Sequence, residues 1–312
     1  MTTTNTASQI LPFQASDNAR AIIINIDDLG LSSAVNNAVL HLAECGRIGA
    51  SSYMVGGTIS ESEMKTLTKL KVEIGLHFDL TGIFPSLLRG SLKSIIAASY
   101  LRKLNPAQVK DVISQQLDAF EDCFGRPPVF IDGHQHIHQF PIIRQHLIEE
   151  ISTRYGKNPQ TSISARVTTP LINDIKSWII YALGGNAWRR LCEDHHIATN
   201  GRFGGVYGFE ATSQELSALW ETWLQIAPRT AGLPSPLNTQ SFAVNTALYS
   251  LPTDLSPTLI MCHPALSDND WQDDIKQARE REYEWLMSDQ FGQLLQQYEV
   301  RLVRWSDVIA SV

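Results

Sequence analysis

Ala21-Ile-Ile-Ile-Asn-Ile-Asp-Asp-Leu-Gly30 is the stretch on which the fold turns. Its opening is a short aliphatic run rich in β-branched residues, the pattern of a buried strand. The run ends directly in two carboxylates, Asp27 and Asp28, and either Ser32 or Ser33 can cap a helix just beyond. Val35, Val39, Leu42 and Ala43 share one face of that helix, and Gly46 ends it. Strand, polar tip, helix is the repeating unit of a parallel α/β sheet.

The unit recurs outward from there. Residues 48–55 read as a second strand. Val72, Ile74, Leu76, Phe78 and Leu80 alternate with Glu73, Gly75, His77 and Asp79, so a third strand sets His77 and Asp79 opposite the aliphatic face. Asn105-Pro106 opens a helix striped by Val109, Ile113, Leu117, Phe120 and Phe124, and Gly125-Arg-Pro-Pro128 breaks it. Residues 129–132 form another strand, running into Gly133-His-Gln-His-Ile-His138. Residues 163–167 and 258–262 are further strands, the second leading into His263-Pro264. A long charged helix is predicted from Asp273 to about Gln297, and a last strand over 301–305.

Apolar strands thus deliver Asp27, Asp28, His77, His134, Arg166 and His263 at their tips. Sites in parallel α/β folds lie at the C-terminal strand ends. Five tips converge more easily in a barrel, complete or incomplete, than in an open sheet. The expected organisation is a tail over 1–19, then one catalytic domain over 20–312 with a less regular insertion around 168–256. That insertion holds the glycine-rich stretch 200–208 and a Pro/Ser/Asn stretch at 234–238.

The 312 residues are 43% hydrophobic and 18% charged, an ordinary globular balance that excludes whole-chain disorder. A net charge of −7 without a Lys/Arg run argues against nucleic acid and suits a neutral substrate or a metal cation. Cys45, Cys123, Cys192 and Cys262 form no C-x-x-C pair and read as buried free thiols in a reducing compartment. The polar N-terminus lacks the pattern of a secretory signal, and the apolar stretch 178–183 is too short to span a bilayer. A cytoplasmic protein with no transmembrane segment is expected.

Asp27-Asp28 alone also fits a turn or helix cap; its meaning comes from company. Two adjacent carboxylates repel unless a cation neutralises one. His134-x-His136-x-His138 puts three imidazoles on one face if extended and scatters them if the chain turns. With Asp132 before it, the block points to metal or proton-transfer chemistry. A guanidinium inside an apolar strand, Arg166, needs a carboxylate partner, and Asp27 or Asp28 would serve. His77 and His263 alone are ordinary. His41, His146, His195 and His196 read as structural or exposed.

In order along the chain, Asn25-Ile-Asp-Asp-Leu-Gly-Leu-Ser32, Ile74-Gly-Leu-His-Phe-Asp-Leu80, Asp132-Gly-His-Gln-His-Ile-His138 with Pro141, Met261-Cys-His-Pro264 and Arg279-Glu-Arg-Glu282 resemble the YdjC-like carbohydrate deacetylases. That family includes chitooligosaccharide deacetylases and hopanoid-biosynthesis-associated deacetylases. Ile26 stands where members commonly have a small residue. The resemblance implies a deformed (β/α) barrel, often a homodimer, that removes an N-acetyl group from an acetylated amino sugar. It implies one divalent ion, zinc or magnesium, on Asp28, His77 and His134. Asp27 would be the base and His263 the acid, with Arg166 orienting Asp27. His136, His138, Tyr207 and Arg279 are candidates for binding substrate, and Trp178, Phe209 and Trp271 for stacking on sugar. Two other readings share the residues: a metal-dependent hydrolase of another bond such as a phosphoester, and a sugar-binding protein without catalysis.

Overall fold

The computed structural model describes residues 19–156, 162–230 and 256–309. Residues 1–18 of the expected tail (1–19) and the Pro/Ser/Asn stretch at 234–238 lie outside the described residues, while Ala19 is buried.

Among the described residues eight strands form the sheet: β1 (Arg20–Leu29), β2 (Ala50–Tyr53), β3 (Glu73–Phe78), β4 (Phe130–Gly133), β5 (Ser164–Ala165), β6 (Phe203–Gly204), β7 (Thr258–Cys262) and β8 (Val300–Leu302). Their order is β5-β4-β3-β2-β1-β7-β6. β8 pairs with Arg20–Ile22 at the start of β1, and β2 takes over from Asn25 onward. Every pairing is parallel. The sheet curls until its outer strands meet. Ala165 bridges Thr199, and Pro170 bridges Phe203. Between these bridges the Asn200 side chain replaces a missing rung: Oδ1 accepts from the Val167 N–H (2.8 Å) and Nδ2 donates to the Val167 carbonyl (2.9 Å). The result is a deformed (β/α) barrel.

Helices surround it: α1 (Ser33–Glu44), α2 (Glu61–Lys69), α3 (Leu92–Tyr100), α4 (Pro106–Phe124), α5 (Ile143–Tyr155), α6 (Ile175–Ile180), α7 (Asn186–Asp194), α8 (Ser213–Ile226), α9 (Lys276–Met287), α10 (Asp289–Gln297) and α11 (Trp305–Ile309). Local chemistry sets their ends. The Ser32 hydroxyl caps α1 by accepting from Val35 N–H, and Asn105 with Pro106 starts α4, which stops at Gly125 with φ +65°.

Alternation along β1 sorts its side chains. Ile22, Ile24 and Ile26 join the core between sheet and helices, whereas Ala21 and Ile23 face the barrel interior with Ala50, Phe130, Leu259 and Trp305. Trp305 is fully buried and stacks on Phe130 with ring centroids 4.8 Å apart. Gly75 faces inward too, and a Cβ there would come within 2.6 Å of the Phe130 ring. The lower barrel is therefore packed solid, and polar residues begin above it.

Three elements differ from the sequence expectation. The long helix predicted from Asp273 is two, because Ser288 turns extended (ψ 152°) and its hydroxyl caps α10. The last strand ends at Leu302, and Trp305 instead opens α11. Residues 168–230 are more regular than expected, contributing β6, α6, α7, α8 and the seam. Of the four unpaired cysteines, Cys192 and Cys262 are buried, Cys123 is half-buried and Cys45 is exposed. No helix among the described residues is long and apolar enough to cross a membrane.

Candidate active site

A cavity of about 590 Å³ opens at the C-terminal strand ends, with Asp27, Asp28, His77, His134 and His263 in its wall. Strict alternation would send Asp27 and Asp28 to opposite faces of β1. The strand avoids this with a bulge between Ile26 and Leu29, where Asp28 adopts φ +68°. A left-handed residue other than glycine is held at a cost of about 1–3 kcal/mol, though Asp tolerates it better than most. Both carboxylates consequently reach the cavity, in different directions.

Asp28 turns toward the imidazoles. Its Oδ1 lies 3.3 Å from His77 Nε2 and 3.1 Å from His134 Nδ1, and its Oδ2 accepts from Arg279 Nη2 at 2.7 Å. One donor atom from each of Asp28, His77 and His134 falls within 4.8 Å of the others. On its far side His77 Nδ1 pairs with Asp132 Oδ1 at 2.6 Å, which fixes the ring and directs Nε2 inward. Burial pushes the His77 pKa down, but Asp132, with help from Asp28 and Asp27, pushes it up to about 10. Burial likewise raises Asp28, yet Arg279 and His134 hold it well below the usual carboxylate range.

These groups fit a divalent ion. Without a metal, a protonated His77 donates through Nδ1 to Asp132 and through Nε2 toward Asp28; once Nε2 loses its proton its lone pair faces the Asp28 carboxylate, and a cation fits between them. Two imidazoles and one carboxylate are a donor set suited to zinc and open to other divalent ions, and they leave coordination positions free.

Asp27 has other company. Arg166 Nη1 and Nη2 donate to its two oxygens at 2.7 and 2.5 Å, and Asn25 Nδ2 donates to Oδ1 at 2.8 Å. Arg166 Nη2 also lies 2.5 Å from Asp132 Oδ2. Burial raises the Asp27 carboxyl, and the Arg166 guanidinium outweighs it, so Asp27 stays ionised. Asp27, His77 and Asp132 make a second convergent trio. There the guanidinium already supplies the positive charge, which leaves Asp28, His77 and His134 as the trio for a metal. His263 Nε2 stands 3.9 Å from Asp27 Oδ2, with the Phe209 ring near-perpendicular to its own.

The remaining candidates divide. Residues 134–139 form a tight 3-10 turn, with Gln135 (φ +52°) and His136 (φ +60°) left-handed, so the three imidazoles scatter rather than align. His134 meets Asp28. His136 lines the cavity, edge-on to Phe203, and burial with Arg166 nearby pushes its pKa down to about 3. His138 is fully buried, pairs through Nε2 with the Arg166 carbonyl at 3.2 Å and is absent from the cavity wall. Tyr207 and Phe209 line the cavity, and the Tyr207 hydroxyl donates to Glu282 at 2.6 Å. Arg279 also lines it, with its guanidinium over Trp271. Trp178 and Trp271 are not in the wall. His41, His146 and His195 pair elsewhere, with Tyr283, Glu149 and Ser152.

Sequence reasoning assigned no role to Asn25, Asp132 or Glu282. Asn25 was findable, since it shares a strand face with Asp27. Glu282 closes the Arg279–Glu282 motif of the family resemblance, but nothing local points to its partners, 19 and 75 residues away.

Comparison with known proteins agrees with this architecture. A chitooligosaccharide deacetylase of Serratia marcescens is 32% identical over 146 residues, 44% of this chain and 57% of that protein. Another, of Enterobacter sp. (strain 638), is 30% identical over 145 residues with the same coverage. The chain thus matches a little over half the length of these relatives. A crystal structure described as a "putative cellobiose-phosphate cleavage protein" of Enterococcus faecalis V583 superimposes with a TM-score of 0.61 at 16% identity, covering 92% of this chain and 98% of that one. It speaks for the fold alone. The family model for YdjC-like protein matches residues 21–297. That span runs from β1 through α10 and takes in every side chain around the cavity, and on it the chain belongs to the YdjC-like family.

Proposed function

We propose that this protein is a carbohydrate N-deacetylase, hydrolysing the acetamide of an acetylated amino sugar and releasing acetate. One divalent ion, zinc or magnesium, is held by Asp28, His77 and His134. The substrate is a chitooligosaccharide or a lipid-linked N-acetylglucosamine. The observation that carries the reading is the division of labour at the end of β1: Asp28 converges with two imidazoles, while the Arg166 fork holds Asp27 ionised beside them. The names of the relatives support the same chemistry.

A divalent ion bound there supplies Lewis acidity to the acetamide carbonyl and to the attacking water. Asp27 takes the proton of that water. Arg166 keeps Asp27 ionised and aims it, at the price of a weak base that readily gives the proton up again. His263, across Asp27, donates a proton to the departing amine, which cannot leave as an anion. Tyr207, Phe209 and His136 flank the space left for the sugar, and Arg279 steadies Asp28. His138 supports Arg166 from behind.

Arg166 between Asp27 and Asp132 favours one ion over the pair that phosphoester hydrolases commonly use. Residues 20–312 acting as one catalytic domain, a homodimer and a cytoplasmic location belong to the same reading. The test is acetate release from N-acetylglucosamine oligomers by metal-loaded protein, with metal counted per chain. Absence of acetate at every oligomer length, with one ion bound, would sink the deacetylase and leave a sugar-binding protein.

A further inference from the structure

We infer that Glu282 is a positioning residue that, with Arg279 one helical turn away, anchors the His263 backbone and so sets the reach of its imidazole. His263 as the proton donor rests on the function proposed above; its anchoring does not.

His263 sits where backbone hydrogen bonding runs out. The β1–β7 ladder ends with Ile26 opposite Cys262, and Pro264 follows, so no strand pairing continues. The peptide groups of His263 still need partners. Helix α9 supplies them. Glu282 Oε2 accepts from the His263 N–H, and Arg279 Nη1 donates to the His263 carbonyl at 3.4 Å. Residues three apart on a helix share a face, which is what lets one turn of α9 grip both sides of a single residue. The Arg279 carbonyl also accepts from Ala265 N–H at 3.2 Å, securing the chain beyond the proline.

The ring itself has little to hold it. Among the described residues, His263 Nδ1 is buried without a hydrogen-bond partner. Many catalytic histidines are oriented by a carboxylate on that nitrogen. Here the orienting carboxylate grips the main chain instead, and among the described residues the near-perpendicular Phe209 ring, 5.6 Å between centroids, is the only ring-to-ring contact. Glu282 is 3% exposed, and its other oxygen takes the Tyr207 hydroxyl at 2.6 Å. It therefore ties two walls of the cavity together, the His263 tip and the Tyr207 strand end. A carboxylate accepts from both donors at once; the amide of a glutamine accepts at one end and presents donors at the other.

The experiment compares zinc-loaded wild type with Glu282→Gln. Crystal structures report the His263 ring, acetate release reports action on N-acetylated chito-oligomers, and 4-nitrophenyl acetate reports an ester whose leaving group needs no proton. The expected result is a ring displaced from its 3.9 Å station beside Asp27. On oligomers kcat falls about 10–100-fold with KM changed less than about threefold, while ester cleavage stays near wild type. An equal loss on both substrates, or a ring that keeps its place, overturns the positioning role. Wild-type protein gives a second reading should the variant fold poorly. Hydrogen exchange at the His263 amide is slow if Glu282 holds it, and exchange at the rate of a free loop amide overturns the anchor. A wild type that releases no acetate sinks the deacetylase alone, since ring position and exchange rate still judge Glu282.

Discussion

Asp27 and Asp28 are chain neighbours, equally buried, and live in opposite chemical worlds. Asp27 faces the β5 side, where the Arg166 fork sets permanent positive charge against both oxygens. Asp28 faces the β3 and β4 side, where two imidazole nitrogens lie 3.3 and 3.1 Å from its Oδ1. A guanidinium cannot be displaced or deprotonated; a proton on His77 can be exchanged for a metal. The difference teaches that one bulge can split a pair of identical residues into a fixed charge and an exchangeable site.

The sharpest way to break this contrast is to make the same substitution twice. Asp28→Asn keeps a residue that accepts the left-handed backbone but removes the charge, and it is expected to strip the bound metal and abolish turnover. Asp27→Asn is expected to keep one ion per chain and lose about 10²–10⁴-fold in kcat, the range of a lost general base. Metal analysis beside acetate kinetics checks both. If both variants shed metal alike, the two carboxylates share one role.

Next in size is the fixed charge. Arg166→Gln leaves Asp27 and Asp132 buried without their cation, a loss expected at about 3–5 kcal/mol of stability in urea titrations. A variant within about 1 kcal/mol of wild type would mean that surrounding donors carry those charges without the guanidinium. Asp132→Asn loosens His77 from behind, and metal affinity should drop about 10–100-fold in a competitive chelator titration. An unchanged affinity would detach Asp132 from the metal side.

The smallest effect concerns pH. Burial, with His136 and Arg166 nearby, holds His138 well below its ordinary pKa, and His136 sits near 3. The unfolded chain binds protons at these histidines below about pH 6.5 while the folded chain does not, so stability falls as pH drops through that window. His77 is raised, so its linkage lies between about 6.5 and 10 in metal-free protein, with stability growing as pH falls there. The depressed carboxylates act only below about pH 4. Comparing urea midpoints at pH 6.5 and 5.5, below the His77 window, therefore reads mainly the neutral histidines. His138→Gln should shrink the wild-type drop by about 1 kcal/mol.

Much of this was legible in the chain. Periodicity in β3 put His77 on the inward face, and the buried-guanidinium argument gave Arg166 a carboxylate. Which carboxylate the residues alone left open, because the choice depends on the Asp28 torsion and alternation would have sent the pair apart; the family resemblance pointed to Asp27. The His-x-His-x-His spacing left extension and turning equally open; two left-handed residues decided for the turn. Ser288-Asp289 carried a cap signal inside a run of good helix formers, and the signal won. The Asn200 seam and the reach of Glu282 to His263 join residues distant in sequence, and no local pattern encodes them.

Trp305 and Phe130, stacked beneath the polar layer, have a consequence for traffic. They stop the base of the barrel, so among the described residues the cavity has no passage along the barrel axis and opens toward the C-terminal strand ends.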